Sequence, residues 1–208
     1  MLRIKPSNSE CAGMESISFC ESSDNMDLMS DNKLIKHWFA LKVFYNKVFD
    51  VEETLKEKKI ECYIPCETIL VVRPNGAKKT VHRPVISSLL FFRSTTLEAK
   101  EVQDTFVDKV ILYTRQVEYK RIPLAIPESE MNIFMLVTSS GEKGMEYFEG
   151  DNPKFFQGDR VQVIDGPFKG AEGYICRIKK NHRLIVAVRG VCAVATSYIP
   201  QAFLKKIP

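Results

Sequence analysis

The chain has 208 residues, of which 45% are hydrophobic and 27% are charged, and its formal net charge is +4. This length can bury one substantial core, or one medium and one small core. No apolar run approaches the roughly 18 residues of a membrane-spanning helix, and no apolar leader follows a basic start, so we expect a cytoplasmic protein without membrane contact. The mild charge excludes a protein that grips duplex DNA by charge alone, and it favours guided contact with nucleic acid beside a protein partner.

The cysteines and histidines do not form a recognisable metal or catalytic site. Cys62 and Cys66 lie in a predicted strand, where they would sit roughly 13 Å apart at ~3.3 Å per residue, too far for a disulfide or a shared zinc ion. We therefore predict free cysteines, no metal and no cofactor. No phosphate-binding glycine loop precedes a helix. The chain has three histidines, His37, His82 and His182. None of them has a carboxylate or a nucleophile at a recognised spacing, so we predict no catalytic residues and no enzyme.

The first segments predict a disordered tail, a strand and a helix. Residues 1–32 are rich in Ser, Asn and Asp and are typical of a disordered tail. Residues 37–44 have the aromatic and β-branched content of a strand. Asn46 resembles a helix N-cap. After it, the apolar residues Val48, Val51 and Leu55 recur at helical spacing, which predicts a helix. Phe49 would widen the apolar stripe of this helix.

The next segments predict a hairpin and a central strand. Strands over 61–65 and 69–72 precede Asn75-Gly76, a pair typical of a tight hairpin turn, and residues 78–83 return. Residues 88–92 predict a strand buried on both faces.

Two further helices follow. Thr95 and Glu98 have the spacing of a capping box, which predicts the start of a second helix. Residues 110–113 predict another strand. A third helix is predicted between Pro127 and Gly141. Its inward face would consist of Met131, Phe134, Met135 and Thr138.

This order of elements predicts an α+β fold over residues 33–140, with helices packed on a mostly antiparallel sheet. Residues 141–154 resemble a linker. Residues 155–208 alternate short strands with turns and predict a small, SH3-like barrel of five strands. Helix in that region is disfavoured because several glycines and a proline would fall inside it, so we expect β structure in the intact chain.

The strongest local pattern lies at the start of this predicted barrel. It runs Gly-Asp-Arg-Val-Gln-Val from residue 158 and continues as Gly-Pro-Phe-Lys-Gly-Ala-Glu-Gly from residue 166. This strand, glycine-rich turn and strand resemble the KOW motif. A generic SH3-like barrel is the alternative. The motif residues are Gly158, Asp159, Val161, Val163, Gly166, Phe168, Gly170 and Gly173.

Residues 36–207 together resemble the NusG family. The resemblance rests on Trp38-Phe39-Ala40-Leu41 before a helix, on the Arg83-Pro84 strand entry and on the C-terminal KOW pattern. Specialised members, the UpxY-type and RfaH-like antiterminators, are closest in character. The resemblance implies a monomeric elongation factor with an NGN domain that docks on the RNA polymerase clamp and a tethered KOW barrel. It would suppress pausing or termination at specific operons, such as surface-polysaccharide operons, while the barrel recruits a ribosomal protein or a termination factor.

The resemblance also implies two surfaces. Where the family commonly has a Phe-Pro-Gly-Tyr stretch, this chain has Ile86-Ser87-Ser88-Leu89. The polymerase-binding pocket is expected from Lys42, Ile86, Leu89 and Phe91. Basic residues of the first hairpin and first helix would face non-template DNA or nascent RNA, or else form a solvated charged surface: Lys47, Arg73, Lys78, Lys79 and Arg83.

A second function is compatible with the KOW pattern. The chain could be a ribosome-associated or RNA-binding protein that acts in translation. The N-terminal α+β domain favours transcription, because a ribosomal KOW protein would not need it.

Overall fold

A computed structural model describes residues 35–74, 76–150, 152, 156–178 and 181–208. The predicted tail, the turn residues Asn75 and Lys180, and Phe155 at the predicted barrel start lie outside the described residues. The described helices are α1 (Val48–Glu57), α2 (Thr96–Thr105) and α3 (Glu128–Thr138), and a 3₁₀ turn spans Gln201–Phe203.

The strands of the N-terminal half form one sheet and two hairpins. The sheet has the order β2-β5-β1-β6, and all of its pairs are antiparallel. The hairpins pair β3 with β4 and β7 with β8. The bounds are β1 (His37–Val43), β2 (Glu61–Tyr63), β3 (Cys66–Val72), β4 (Lys78–Pro84), β5 (Leu89–Ser94), β6 (Val110–Leu112), β7 (Thr114–Val117) and β8 (Lys120–Pro123).

Side chains of the N-terminal sheet alternate between two apolar clusters. Phe39, Leu41 and Leu90 point to the face that α1 and α2 cover. Trp38 and Phe91 point to the opposite face, together with residues of α3. Strand β5 therefore has both faces buried, and the predicted α+β sandwich of helices on an antiparallel sheet is confirmed.

The helix starts show one confirmed and one wrong prediction. The Thr95 hydroxyl accepts a hydrogen bond from the Glu98 amide, and the Glu98 carboxylate accepts one from the Thr95 amide, which completes the predicted capping box. Asn46 is not an N-cap. It adopts a positive φ of 55° in the turn before α1, and Lys47 occupies the cap position without a side-chain hydrogen bond.

The helix faces also differ in detail from the prediction. Phe49 does not widen the buried stripe of α1, because its side chain is exposed. In α3, the buried residues include Val137, whereas Met135 is only half-buried. Met131, Phe134 and Thr138 lie inward as predicted.

The C-terminal sheet has six strands in the order β14-β10-β11-β12-β13-β9. We call β9–β14 the C-terminal module. Its strands confirm β structure in the intact chain. Five of them lie within the predicted barrel region, and the sixth, β9, lies in the predicted linker. The bounds are β9 (Glu146–Glu149), β10 (Arg160–Val163), β11 (Glu172–Ile178), β12 (Asn181–Val188), β13 (Cys192–Tyr198) and β14 (Leu204–Lys206).

Strand β9 forms because β13 offers it an open edge. Residues Glu146 to Glu149 pair antiparallel with Cys192 to Ala195. An unpaired edge would leave backbone donors and acceptors without partners. The sequence signal was weak, since Tyr147 and Phe148 are flanked by glutamates and glycines.

Candidate protein-docking face

One face of the N-terminal sheet lies opposite α1 and α2, and its residues include the predicted pocket. We call this the docking face. Trp38, Ala40 and Lys42 of β1 alternate with residues of the other cluster, so they share this face with Leu89 and Phe91 of β5. The residues of the docking face are Trp38, Ala40, Lys42, Ile86, Leu89 and Phe91.

Helix α3 covers part of this face within the N-terminal half. The rings of Phe91 and Phe134 have centroids 5.5 Å apart at an angle of 58°. Phe91 is fully buried. Its structural role is therefore to hold α3 against the sheet, and a partner could reach it only by displacing that helix.

The C-terminal module covers the docking face as well. Val191 and Cys192 at the start of β13 belong to the same buried cluster as Ile86 and Leu89. Space between the two halves is tight, because a Cβ at Gly190 would lie 2.9 Å from Cδ2 of Leu124. The apolar contact is thus continuous from the N-terminal sheet into the module.

Polar contacts surround this apolar contact. The Ser88 hydroxyl donates to Oε1 of Glu149 at 3.2 Å, and Nζ of Lys42 lies 3.9 Å from Oε2 of the same residue. On the α3 side, the Arg189 amide donates to Oε2 of Glu130 at 3.2 Å, and the Arg189 Nε lies 3.6 Å from Oε1. Because these side chains are partly exposed, each pair contributes at most about 1 kcal/mol.

Burial raises the pKa values of the tyrosines and one thiol at this contact. Desolvation raises the pKa of Tyr147 to about 12, with smaller contributions from Tyr63 and Glu67. Desolvation also raises the pKa of Tyr113, which lies near Glu149. The thiol of Cys192 has a strongly raised pKa for the same reason. These groups are therefore neutral at physiological pH and behave as packing residues.

One polar atom of the docking face has no partner among the described residues. The indole N–H of Trp38 is buried and has no acceptor among the described residues. A buried donor without an acceptor is uncommon and costs free energy. The docking face therefore retains an unused hydrogen-bond donor.

The predicted pocket residues are thus brought together but are not accessible. Lys42 keeps 44% of its side chain exposed, at the rim. Ile86, Leu89 and Phe91 are each at most 4% exposed. The resemblance implied a tethered C-terminal barrel without indicating where it lies, and in the structure the module contacts this face.

The predicted nucleic-acid residues lie elsewhere. Arg73, Lys78 and Lys79 are exposed near the tip of the β3–β4 hairpin. Arg83 lies further down β4 and pairs with Glu67 of β3. Lys47 precedes α1 and lies 3.8 Å from Asp50. Among the described residues, Arg73, Lys78 and Lys79 at the hairpin tip have no acidic partner, whereas Lys47 and Arg83 each have one.

The KOW-like residues form the turn and strands at the start of the module. Val161, Val163 and Phe168 are buried. The Gly170 amide donates to the Val163 carbonyl at 2.8 Å and closes the turn. A Cβ at Gly173 would collide with the carbonyl oxygen of Ile185, so the close approach of β11 and β12 requires glycine there. Asp159, at 2.7 Å from Lys206, and Gly158 and Gly166 complete the set.

Sequence reasoning missed two features of this region. It did not identify Glu149 or the Glu130–Arg189 pair, because these contacts join residues far apart in the chain. It also missed the β7–β8 hairpin, whose turn has no Asn-Gly or Asp-Gly pair.

The described residues can be compared with the requirements of a metal site and of a membrane-spanning helix. They contain no group of three or more His, Cys, Asp or Glu side chains placed to hold a metal ion. No disulfide joins their cysteines, which are Cys62, Cys66, Cys176 and Cys192. No helix in the described ranges is long and apolar enough to cross a membrane.

Comparison with known proteins gives one family. The model of the family described as transcription termination factor nusG matches residues 36–135, which span β1 to most of α3. The chain shows no significant match to a curated protein.

Proposed function

Residues 36–135 match the model of the NusG family, and from this premise we propose that the chain is a member of that family and docks on RNA polymerase through the docking face. The family consists of transcription elongation and termination factors without enzymatic activity, and the match supports a factor of this kind. We further propose that it suppresses pausing or termination at particular operons.

The observation that supports docking is the composition of the face. It offers a continuous apolar surface, a cation at its rim in Lys42 and an unused indole donor in Trp38. Fully burying one Leu or Val side chain contributes about 1.5–3 kcal/mol, so a few such residues can support a stable contact. A polymerase segment with apolar side chains and an acidic residue would complement it.

Docking on this face requires the C-terminal module to leave it. Outside the part that α3 covers, the module and the polymerase would bury the same residues, so only one of them can occupy that part of the face at a time. We take the closed form as the resting form, so the apparent affinity for polymerase is the intrinsic affinity multiplied by the fraction of molecules that are open. After opening, the module is available to a second partner.

The experiment uses Trp38, the single tryptophan of the chain. Leu124→Glu places a carboxylate against Gly190 of the module and should favour opening, because an unpaired buried charge is costly. We expect a red shift of Trp38 emission and several-fold stronger retention of RNA polymerase. Leu97→Glu is the matched control, since Leu97 is exposed on α2 on the other side of the sheet. Equal polymerase retention by the two variants would contradict the proposal.

Lys42→Glu then tests the face itself. In the Leu124→Glu background it should weaken polymerase retention without changing Trp38 emission. Retention that is unaffected by this charge reversal would place the polymerase contact elsewhere.

Antitermination is tested separately in a single-round transcription assay. The opened variant should increase read-through of a pause or terminator compared with the control variant. Increased termination by the opened variant would instead indicate a termination factor.

A further inference from the structure

The β7–β8 hairpin is an exposed element that the docking face does not use. It follows β6, the edge strand of the N-terminal sheet, and pairs Thr114–Val117 with Lys120–Pro123. Residues 114–121 are all exposed, although the chain is in its closed form. The hairpin is therefore accessible whether or not the C-terminal module covers the docking face.

An aromatic ring stands at the tip of this hairpin. The side chain of Tyr119 is 100% exposed. The turn around it is held by a hydrogen bond of 3.3 Å, in which Nε2 of Gln116 donates to the carbonyl of Glu118. Glu118 itself adopts a positive φ of 52°. A defined turn thus presents both faces of the ring to solvent.

Three cations surround the ring, and the hairpin carries one carboxylate. Arg115 lies opposite Ile122 in the register, and Lys120 lies opposite Val117, so these two cations share one face of the hairpin. Arg121 lies opposite Gln116 on the other face. Among the described residues, none of the three cations takes part in an ion pair. The cations are therefore available on both sides of Tyr119.

We propose that this hairpin binds single-stranded nucleic acid. A base stacks on the ring of Tyr119, and the flanking phosphates contact Arg115, Lys120 and Arg121. An exposed aromatic ring within a basic surface is the combination that single strands require, because every base offers a π face and every linkage offers a charge. A duplex keeps its base faces stacked and offers only the charge.

The β3–β4 hairpin lacks this combination. Its tip is also basic, but the exposed apolar side chains beside the cations are aliphatic, Leu70 and Val72. It leaves the sheet beyond β2, whereas the β7–β8 hairpin follows β6 at the opposite edge. The two hairpins are therefore separate surfaces and can be tested independently.

The test measures binding of fluorescent single strands of about 12 nucleotides, oligo-dT and oligo-U, to the full chain by anisotropy at low salt. No polymerase is present, so the result does not depend on the docking proposal. Tyr119→Ala should weaken binding about tenfold, whereas Tyr119→Phe, which keeps the ring, should remain within about twofold. Tyr198→Ala is the matched control, since Tyr198 is exposed on the C-terminal module.

The charge contribution is measured from the salt dependence. Replacing Arg115, Lys120 and Arg121 with Ala should reduce the slope of log K against log salt by about 2, at ~0.7 for each phosphate contact of a single strand. Undetectable binding by the unmodified chain would overturn the proposal. The proposal would also be overturned if Tyr119→Ala bound the single strand as tightly as the unmodified chain does. Equal affinity of the unmodified chain for a duplex and for a single strand would overturn it as well.

Discussion

Oε2 of Glu149 lies 3.9 Å from Nζ of Lys42, so a strand of the C-terminal module reaches the rim of the docking face. The same carboxylate also accepts a hydrogen bond from Ser88. Glu149 is the last residue of β9, and this strand is held in the module by its pairing with β13. The apolar residues beneath it supply most of the free energy of closure, because exposed ion pairs contribute little.

Glu149→Gln should therefore change closure only slightly. The exposed pair is worth about 1 kcal/mol at most, which corresponds to no more than about a fivefold change in the open fraction. Trp38 emission of this variant should stay close to that of the unmodified chain at low and high salt. A red shift as large as that of Leu124→Glu would mean that the rim, and not the apolar contact, holds the module.

Alkaline pH should destabilise the closed chain. The folded pKa of Tyr147 is raised by burial to about 12 from an ordinary value of 10.0. The stabilising effect of keeping this phenol neutral is complete below pH 10 and is lost as the pH rises towards 12, because the unfolded chain releases the proton first. Tyr113 and Tyr63 have raised pKa values and act in the same direction.

Urea unfolding at several pH values checks this expectation. The free energy of unfolding should fall more steeply above pH 10 for the unmodified chain than for Tyr147→Phe. Parallel pH profiles for the two proteins would show that Tyr147 is not buried at the contact.

Thr95→Ala should destabilise the N-terminal half by about 1 kcal/mol, because α2 loses the hydroxyl of its capping box. For a chain of this size, the expected fall in Tm is about 2–4 °C by circular dichroism. Thr105→Ala is a control, since the Thr105 hydroxyl bonds only within the last turn of α2 and to exposed Lys58. Equal Tm values for the two variants would contradict the capping role.

Gly173→Ala should destabilise the C-terminal module by about 1–3 kcal/mol, because the added methyl group meets the backbone of β12. Gly76→Ala provides the comparison. Its φ of 76° is unfavourable for alanine, but no atom lies within 4 Å of the added Cβ, so its cost is confined to the backbone of the first hairpin. Chemical shifts should change across β11 and β12 for Gly173→Ala only. Unperturbed shifts there would mean that the two strands lie further apart.

The sequence predicted the features that depend on local chemistry. Thr95 and Glu98 form their capping box, and Leu89 to Phe92 form a strand with both faces buried. Alternation and cap spacing are properties of adjacent residues, so one sequence is enough to recognise them. The NusG resemblance added the class of protein, and the family match over residues 36–135 supports it.

The features that sequence reasoning missed depend on distant contacts. Nothing near Leu89 indicates that it shares a buried cluster with Val191, about a hundred residues along the chain. Asn46 has a good capping side chain, yet a second turn residue with positive φ, Tyr45, displaces the helix start by one position. The β9 strand forms because of an edge that folding of the module creates, so the linker composition concealed it.

The most direct test of the account is hydrogen exchange at the Arg189 amide of the intact chain, with and without RNA polymerase. In the closed form this amide donates to the carboxylate of Glu130 across the contact, at 3.2 Å. The amide of Val194 lies within the strands of the module and serves as the internal reference. We expect polymerase to accelerate exchange at Arg189 and to leave Val194 protected. Unchanged protection of Arg189 in the polymerase-bound chain would show that docking occurs without opening, and it would contradict the account.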